Sequence, residues 1–465
     1  MAGGIWTSEN KTIPGVYINV KSQPSVTANV GDKGIVAIAK SLSWGPVGEI
    51  MEITPGTDVT PYIGYDISTS QAQFLREMMK GTDVTSGPMK ILLWRAEGSG
   101  GVKAFDATRA QVQDTVVYEM TITAKYVGVR GNDISYALVA DPDNADVTTV
   151  ETYVGGMMVD SQTVANVSDL VANDWVTFTG SGSIAGRSVA AKSLSGGVDP
   201  TASATDDAAF MTALEAYDFD IVAYDGTAPT VIDAYIAFIK RLNESVGRKC
   251  QMVAANITAA NTKYAISVQN GVKLADGSEL TANQAVWWVA GAEAGAMYYQ
   301  SLTYAQYPGA ISANPKLTDE QAASAVSAGQ IAFIDTFGVV KVCSDINTKT
   351  TVTPTEGAEF KKNRVMRVIM QLCNDVYEHF SNNFIGKVDN NAAGRNLLRG
   401  WIVGYCNEMM ANNGIQNFTA DDVEVLPGAE IDAVVININI QPVDAIEKIY
   451  VTVTVTANGA TIAVA

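Results

Sequence analysis

Apolar positions change their period along this chain, and the changes divide it into segments. Near the start, Val16, Ile18 and Val20 alternate with Tyr17 and Asn19, which predicts a short strand that Gln23-Pro24 cuts off. From Gly34 the pattern is that of an α/β core. Gly34–Ala39 and Met89–Trp94 read as buried strands, and a helix around Ser70–Lys80 places Phe74, Leu75, Met78 and Met79 on one face. The alternation resumes after residue 200, with helices marked by Phe210 to Tyr217 and Ile232 to Leu242 and strands at Asp220–Tyr224 and Cys250–Ala255. Strands interleaved with helices predict a mixed, largely parallel sheet covered by helices on both faces.

Between these halves the period is that of short strands, at Tyr118–Lys125, Ile134–Val139, Thr148–Val154 and Trp175–Phe178. Gly98–Gly101 and Ser195–Gly197 bracket the stretch like two hinge points, so we expect an inserted all-β domain over 101–197. Further on, Asn283–Tyr299 is a helix rich in small residues, against which something must pack closely. Thr318-Asp319-Glu320-Gln321 is a capping box, and Gly338 splits a strand pair. Val365, Val368, Ile369, Leu372, Val376 and Phe380 then keep a clear three-and-four spacing over Glu359–Phe380. A second helix covers Ala392–Ala411 and stops at Asn412-Asn413-Gly414. Two strands close the chain: Val434, Ile436, Ile438 and Ile440 alternate in one, and Ile449, Val451, Val453 and Val455 in the other.

The expected organisation is an N-terminal arm (1–24), the first part of the core (25–100), the insertion (101–197), the second part of the core (198–430) and a C-terminal β-arm (431–465).

Composition narrows the function. Hydrophobic residues make up 47% of the 465 and charged residues 17%, a globular balance. The formal charge is −18, from 31 basic and 49 acidic residues, which disfavours nucleic acid and anionic membrane surfaces as partners. The densest basic cluster, Lys361, Lys362, Arg364 and Arg367, reads as a solvated helix face or, alternatively, a docking surface. Cys250, Cys343, Cys373 and Cys406 have no CxxC spacing and lie in apolar-periodic segments, as buried free thiols in a reducing compartment do. The first residues lack the basic and apolar regions of a signal peptide, and no apolar run approaches a membrane span. Synthesis and assembly in a cytoplasm are therefore expected.

Catalytic signatures fail. His379 is the single histidine, so a two-histidine metal site is impossible, and beside Phe380 it reads as structural. Gly98–Gly101 lacks the Lys-Ser/Thr of a phosphate loop, and no GxSxG is present. Asp141–Asp146 lacks the turn glycine and closing glutamate of a calcium loop and reads as a solvated acidic turn. No cofactor, metal or catalytic residue is expected. The strand-bearing ends are neither charged nor proline-blocked internally, although open strand edges invite association. Two readings stand: both ends complete the chain's own sheet, or they add strands to neighbouring copies, a heterologous contact that propagates into rings or helices.

The order of segments resembles the contractile tail sheath proteins of phages and phage-tail-like bacteriocins, especially of Gram-positive hosts. Gly3-Gly4-Ile5-Trp6 with Pro14-Gly15-Val16-Tyr17-Ile18 is similar to that family's opening. Ala124–Asp133 (AKYVGVRGND), Leu194–Gly197, Ala290-Gly291 with Ser301-Leu302-Thr303, and Asp345-Ile346-Asn347-Thr348 resemble its internal segments. The stretch from Arg395 through Tyr405 and the closing strands resembles its C-terminal helix and arm.

The resemblance implies a non-enzymatic subunit that polymerises helically around a tail tube. The arms, Val16, Tyr17, Ile18 and Val20 with Val434–Ile440 and Ile449–Thr456, would lie in an intersubunit sheet. The helix carrying Arg395, Arg399, Trp401, Asn407 and Glu408 would face the tube, and the β insertion would face outward. It further implies baseplate and tail terminator proteins as partners, a place in a virion or phage-tail-like particle, and assembly in a bacterial cytoplasm. An enzyme on the α/β scaffold, or a tube, capsid or surface-layer subunit, are the competing classes.

Overall fold

The computed structural model describes residues 3–4, 16–17, 34–112 and 115–455. At its centre is a seven-stranded sheet ordered Gln330–Ile331, Ala265–Val268, Gln251–Ala255, Ile221–Tyr224, Ile35–Lys40, Lys90–Arg95 and Ile50–Ile53. All neighbours are parallel except the last pair, in which Ile50–Ile53 runs antiparallel to Lys90–Arg95. Its helices are α1 (Thr60–Ile63), α2 (Gln73–Met79), α3 (Ala204–Leu214), α4 (Pro229–Arg241), α5 (Ala282–Gly295) and α6 (Asp319–Ser327). Two longer ones follow, α7 (Asn363–Asn383) and α8 (Ala392–Ala411).

Strand alternation sends side chains to two cores. Val36, Ile38, Ile221, Ala223 and Val253 pack with α2 and α5 on one face. Ala37, Leu92, Val222, Met252 and Ala254 pack with α3 and α4 on the other. The small residues of α5 have a direct cause: a Cβ on Gly291 would lie 1.9 Å from the carbonyl oxygen of Met78 in α2. Only a bare backbone permits that approach.

The insertion forms a β-sandwich. One sheet runs Met157–Val164, Thr148–Val154, Ile134–Ala140, Val189–Ser193, and the other Val176–Gly182, Thr115–Ala124, Phe105–Val112. The bracketing segments, expected as hinge points, instead run side by side through bridges Ser99–Thr201, Val102–Val198 and Phe105–Ser195. The joint is further fixed by Trp44, which leaves the α/β core and sits 1% exposed in the sandwich core, edge-on to Tyr126. Arg95, fully buried, donates to the carbonyls of Leu42, Gly45 and Val127, and burial pulls its guanidinium down to about 10.

Two expectations are corrected here. The basic cluster is no solvated face: Arg367 is buried between Glu293 and Asp345, Lys361 donates to Val326 O, and Arg364 donates to Asn413 O. Among the cysteines, Cys250 and Cys406 are buried, but Cys343 and Cys373 are only half-buried. The acidic turn is held by Asp141 Oδ1, which accepts from the amides of Asp143 and Asn144. Among the described residues no three His, Cys, Asp or Glu side chains could hold a metal, and no helix is long and apolar enough to cross a membrane.

Candidate functional site

Open α/β sheets bind ligands at the carboxyl ends of their strands, where the strand order reverses. Here that point lies between Ile35–Lys40 and Ile221–Tyr224, and the chain's own side chains occupy it. Lys40 Nζ pairs with Asp225 at 2.5 Å, Trp287 Nε1 donates to the same carboxylate at 2.6 Å, and the ammonium lies over the Phe74 and Trp287 rings. The cavity left beside them is about 260 Å³.

Apolar side chains left uncovered, such as Leu397 and Ile449 to Val455, occur around α7, α8 and the segments after them. Ile402, Tyr405, Cys406 and Met409 of α8 pack on Val368 and Leu372 of α7. Asn413, at φ 58°, lets the chain leave α8, and the Gly414 amide donates to Met409 O. The chain then forms a hairpin in which Val423–Pro427 pairs antiparallel with Val434–Ile438. Val423, Val425, Ile436 and Ile438 turn inward onto α8, and Glu424, Leu426, Val435 and Asn437 face outward. Among the described residues no third strand joins this sheet.

The expected C-terminal arm therefore divides in two. Val434, Ile436, Ile438 and Ile440 are not free: the first three lie in the hairpin strand, and the last three pack half-buried on the α8 core. Ile449, Val451, Val453 and Val455 adopt no strand in the isolated chain and are exposed, from 76% at Ile449 to 88% at Val455. At the other end, Val16 and Tyr17 pair parallel with Gly3 and Gly4, while Ile18 and Val20 lie outside the described residues, as does Thr456.

The α8 residues separate similarly. Arg395 Nη1 bonds Asn390 Oδ1, whose Nδ2 holds Ala433 O, and Arg399 donates to the carbonyls of Val423 and Ala420. Both arginines thus clamp the hairpin to α8. Asn407 and Glu408 are exposed, and Trp401 is half-buried. Trp401 stacks between His379 (4.0 Å, 9°) and Tyr405 (5.3 Å, 17°), and burial lowers the His379 pKa. Beside this stack, Leu397, Gly400, Gly404 and Phe384 line an open groove of about 640 Å³. The sequence reading missed this groove; two glycines four apart on an exposed helix face, each with open space at its Cβ, were the available signal.

Residues 33–85 match the tail sheath protein Gp18 domain III N-terminal region, and residues 105–199 the phage tail sheath protein beta-sandwich domain. Residues 201–348 match the phage tail sheath protein central domain, and residues 355–456 the phage tail sheath C-terminal domain. The phage-like element PBSX protein XkdK of Bacillus subtilis is 31% identical over 487 residues, covering 98% of this chain and 100% of that one. The solved sheath tail protein of Desulfitobacterium hafniense is 38% identical with a TM-score of 0.81, covering 95% of this chain and 100% of that chain. The sheath tail protein Lin1278 of Listeria innocua is 28% identical with a TM-score of 0.74, covering 91% and 95%. Four matched domains in order, together with full-length relatives, establish that the chain belongs to the contractile phage tail sheath protein family.

Proposed function

We propose that this subunit polymerises helically around a tail tube by strand exchange of its terminal arms, and contracts from a metastable extended lattice to drive the tube through a cell envelope. One observation carries the reading. A run of alternating apolar residues, Ile449 to Val455, stands exposed and, among the described residues, unpaired, in the same chain as a hairpin of two described strands to which strands can be added. Each is unfavourable alone, because an apolar ribbon in water and an unpaired strand edge both gain by association. Adding a neighbour's arm to the hairpin satisfies both through main-chain hydrogen bonds. Because the donor and acceptor surfaces differ, the contact propagates instead of closing.

The groove and the exposed Asn407 and Glu408 support the α8 face as the tube contact, with Trp401 at its wall. Arg395 and Arg399 would act there by holding the hairpin in place. The tail tube protein, the baseplate and the tail terminator are the further partners, and assembly takes place in the bacterial host cytoplasm. The joint at Trp44 and Arg95 supports movement of core and sandwich as one body, with the arms as the links between copies.

Deleting residues 448–465, or 1–20, should leave a folded subunit that no longer polymerises. Negative-stain images of either variant under assembly conditions test this, and sheaths of normal length from both would remove arm exchange from consideration.

A further inference from the structure

We propose that Glu447 is a latch that fastens the root of the C-terminal arm to its own subunit and sets where the arm's free length begins. The inference rests on the arm-exchange reading above. The chain is held at Gln441-Pro442 by pairing with Ile415-Gln416, and at Val443, whose amide donates to Gly414 O at 2.9 Å. Beyond that, Glu447 turns inward: its side chain is 16% exposed, whereas Ile446 before it is 86% exposed. Glu447 Oε1 accepts from Thr303 Oγ1 at 2.7 Å, and Oε2 pairs with Lys362 Nζ. Asp444 Oδ2 lies 3.9 Å from the same ammonium.

Both partners are tied to the buried part of the subunit. Lys362 is the residue from which α7 starts. Thr303 Oγ1 also accepts from the Asp345 amide at 2.9 Å, and the Asp345 carboxylate is bound by Arg367 at 2.6 Å. Hydrogen bonds therefore run continuously from the arm root to the buried charge cluster between α5 and α7. Past the latch, no hydrogen bond or ion pair joins residues 449–455 to the rest of the described chain.

The latch sets both length and direction. Residues 448–455 reach about 26 Å when extended, and releasing 443–447 lengthens the tether to about 43 Å at roughly 3.3 Å per residue. Effective concentration at the neighbour's edge falls as about the −3/2 power of tether length, which is about twofold here from length alone. Loss of the fixed launch direction adds to this.

The test uses the full chain with Glu447→Ala, Lys362→Met, the double variant, and a 448–465 deletion as control. In unpolymerised protein, exchange at the Val443 amide, which the root bonds to the body, should rise at least about tenfold in each single variant and no further in the double. Their critical concentration for assembly should rise at least twofold, again without additivity. Exchange unchanged in Glu447→Ala overturns the latch, as does additivity in the double variant. Faster exchange with unaltered critical concentration overturns its role in setting the arm. Normal assembly of the deletion control would instead remove arm exchange, while the exchange rates still decide whether the latch exists.

Discussion

Buried charge is expensive unless its partners surround it, and the Arg367 cluster shows how this chain manages it. Arg367 sits between Glu293 and Asp345, with Asn363 Nδ2 on Glu293 at 3.0 Å and the Leu302 amide on Asp345 at 2.9 Å. Burial and the neighbouring Asp345 push the Glu293 pKa well above the usual carboxylate range. Burial also pushes Asp345 upward, but Arg367 and the hydrogen bonds outweigh it and hold Asp345 below its ordinary value. The pH consequences have opposite signs. Asp345 contributes stability that is lost as pH falls below its unfolded value of about 3.9 and through its lower folded value. Glu293 contributes stability that is complete below about 4.3 and lost as pH rises through its raised folded value. Glu293→Gln, which imitates the protonated form, should flatten the decline of melting temperature as pH rises above about 4.3. An identical slope in the variant and the parent rejects this assignment. Arg367→Met should cost about 3–5 kcal/mol in denaturant unfolding, because it leaves Asp345 buried without its counterion.

Among the elements, the joint between core and sandwich rests on a few side chains, Trp44 placed by a loop and Arg95 at the end of a sheet strand. Trp44→Ala should cost about 3–5 kcal/mol and detach the sandwich transition from that of the core in calorimetry. One merged transition at the parent temperature would show the plug to be idle. This joint was invisible in the sequence because Trp44 lies in a loop, Ser41 to Pro46, where no period marks what is buried. Helices α7 and α8 were legible because their apolar spacing reports burial directly, and Asn412-Asn413-Gly414 spells the stop. The small residues of α5 were legible as a close contact, although not as a contact with Met78. The hairpin was half-read. Val434 to Ile440 showed its alternation, but alternation is the same for a free arm and for a strand paired at home. The partner Val423–Pro427 went unread, since it has five residues and ends in proline. Sequence therefore gives which face of a strand is apolar, and only the fold gives what covers it.

At the scale of the whole molecule, each copy carries −18, and a sheath must bring many such copies together. Like charges resist this, yet the proposed link between copies is main-chain hydrogen bonding and apolar contact, which salt barely weakens. The two contributions separate by ionic strength. At about 10 mM the Debye length is roughly 30 Å, comparable to the reach of the arm, so neighbouring subunits repel across the gap that the arm must span. At about 150 mM it is roughly 8 Å, and that repulsion is largely screened while strand pairing persists. The critical concentration for assembly should therefore fall as salt rises over this range, in light scattering at constant pH. The latch responds with the opposite sign, because its Lys362–Glu447 pair is partly exposed and weakens with salt. The Glu447→Ala subunit has no such pair to lose, so its critical concentration should fall more steeply with salt than that of the parent. A critical concentration that rises with salt in both proteins would mean that ion pairs, and not strand exchange, hold the copies together.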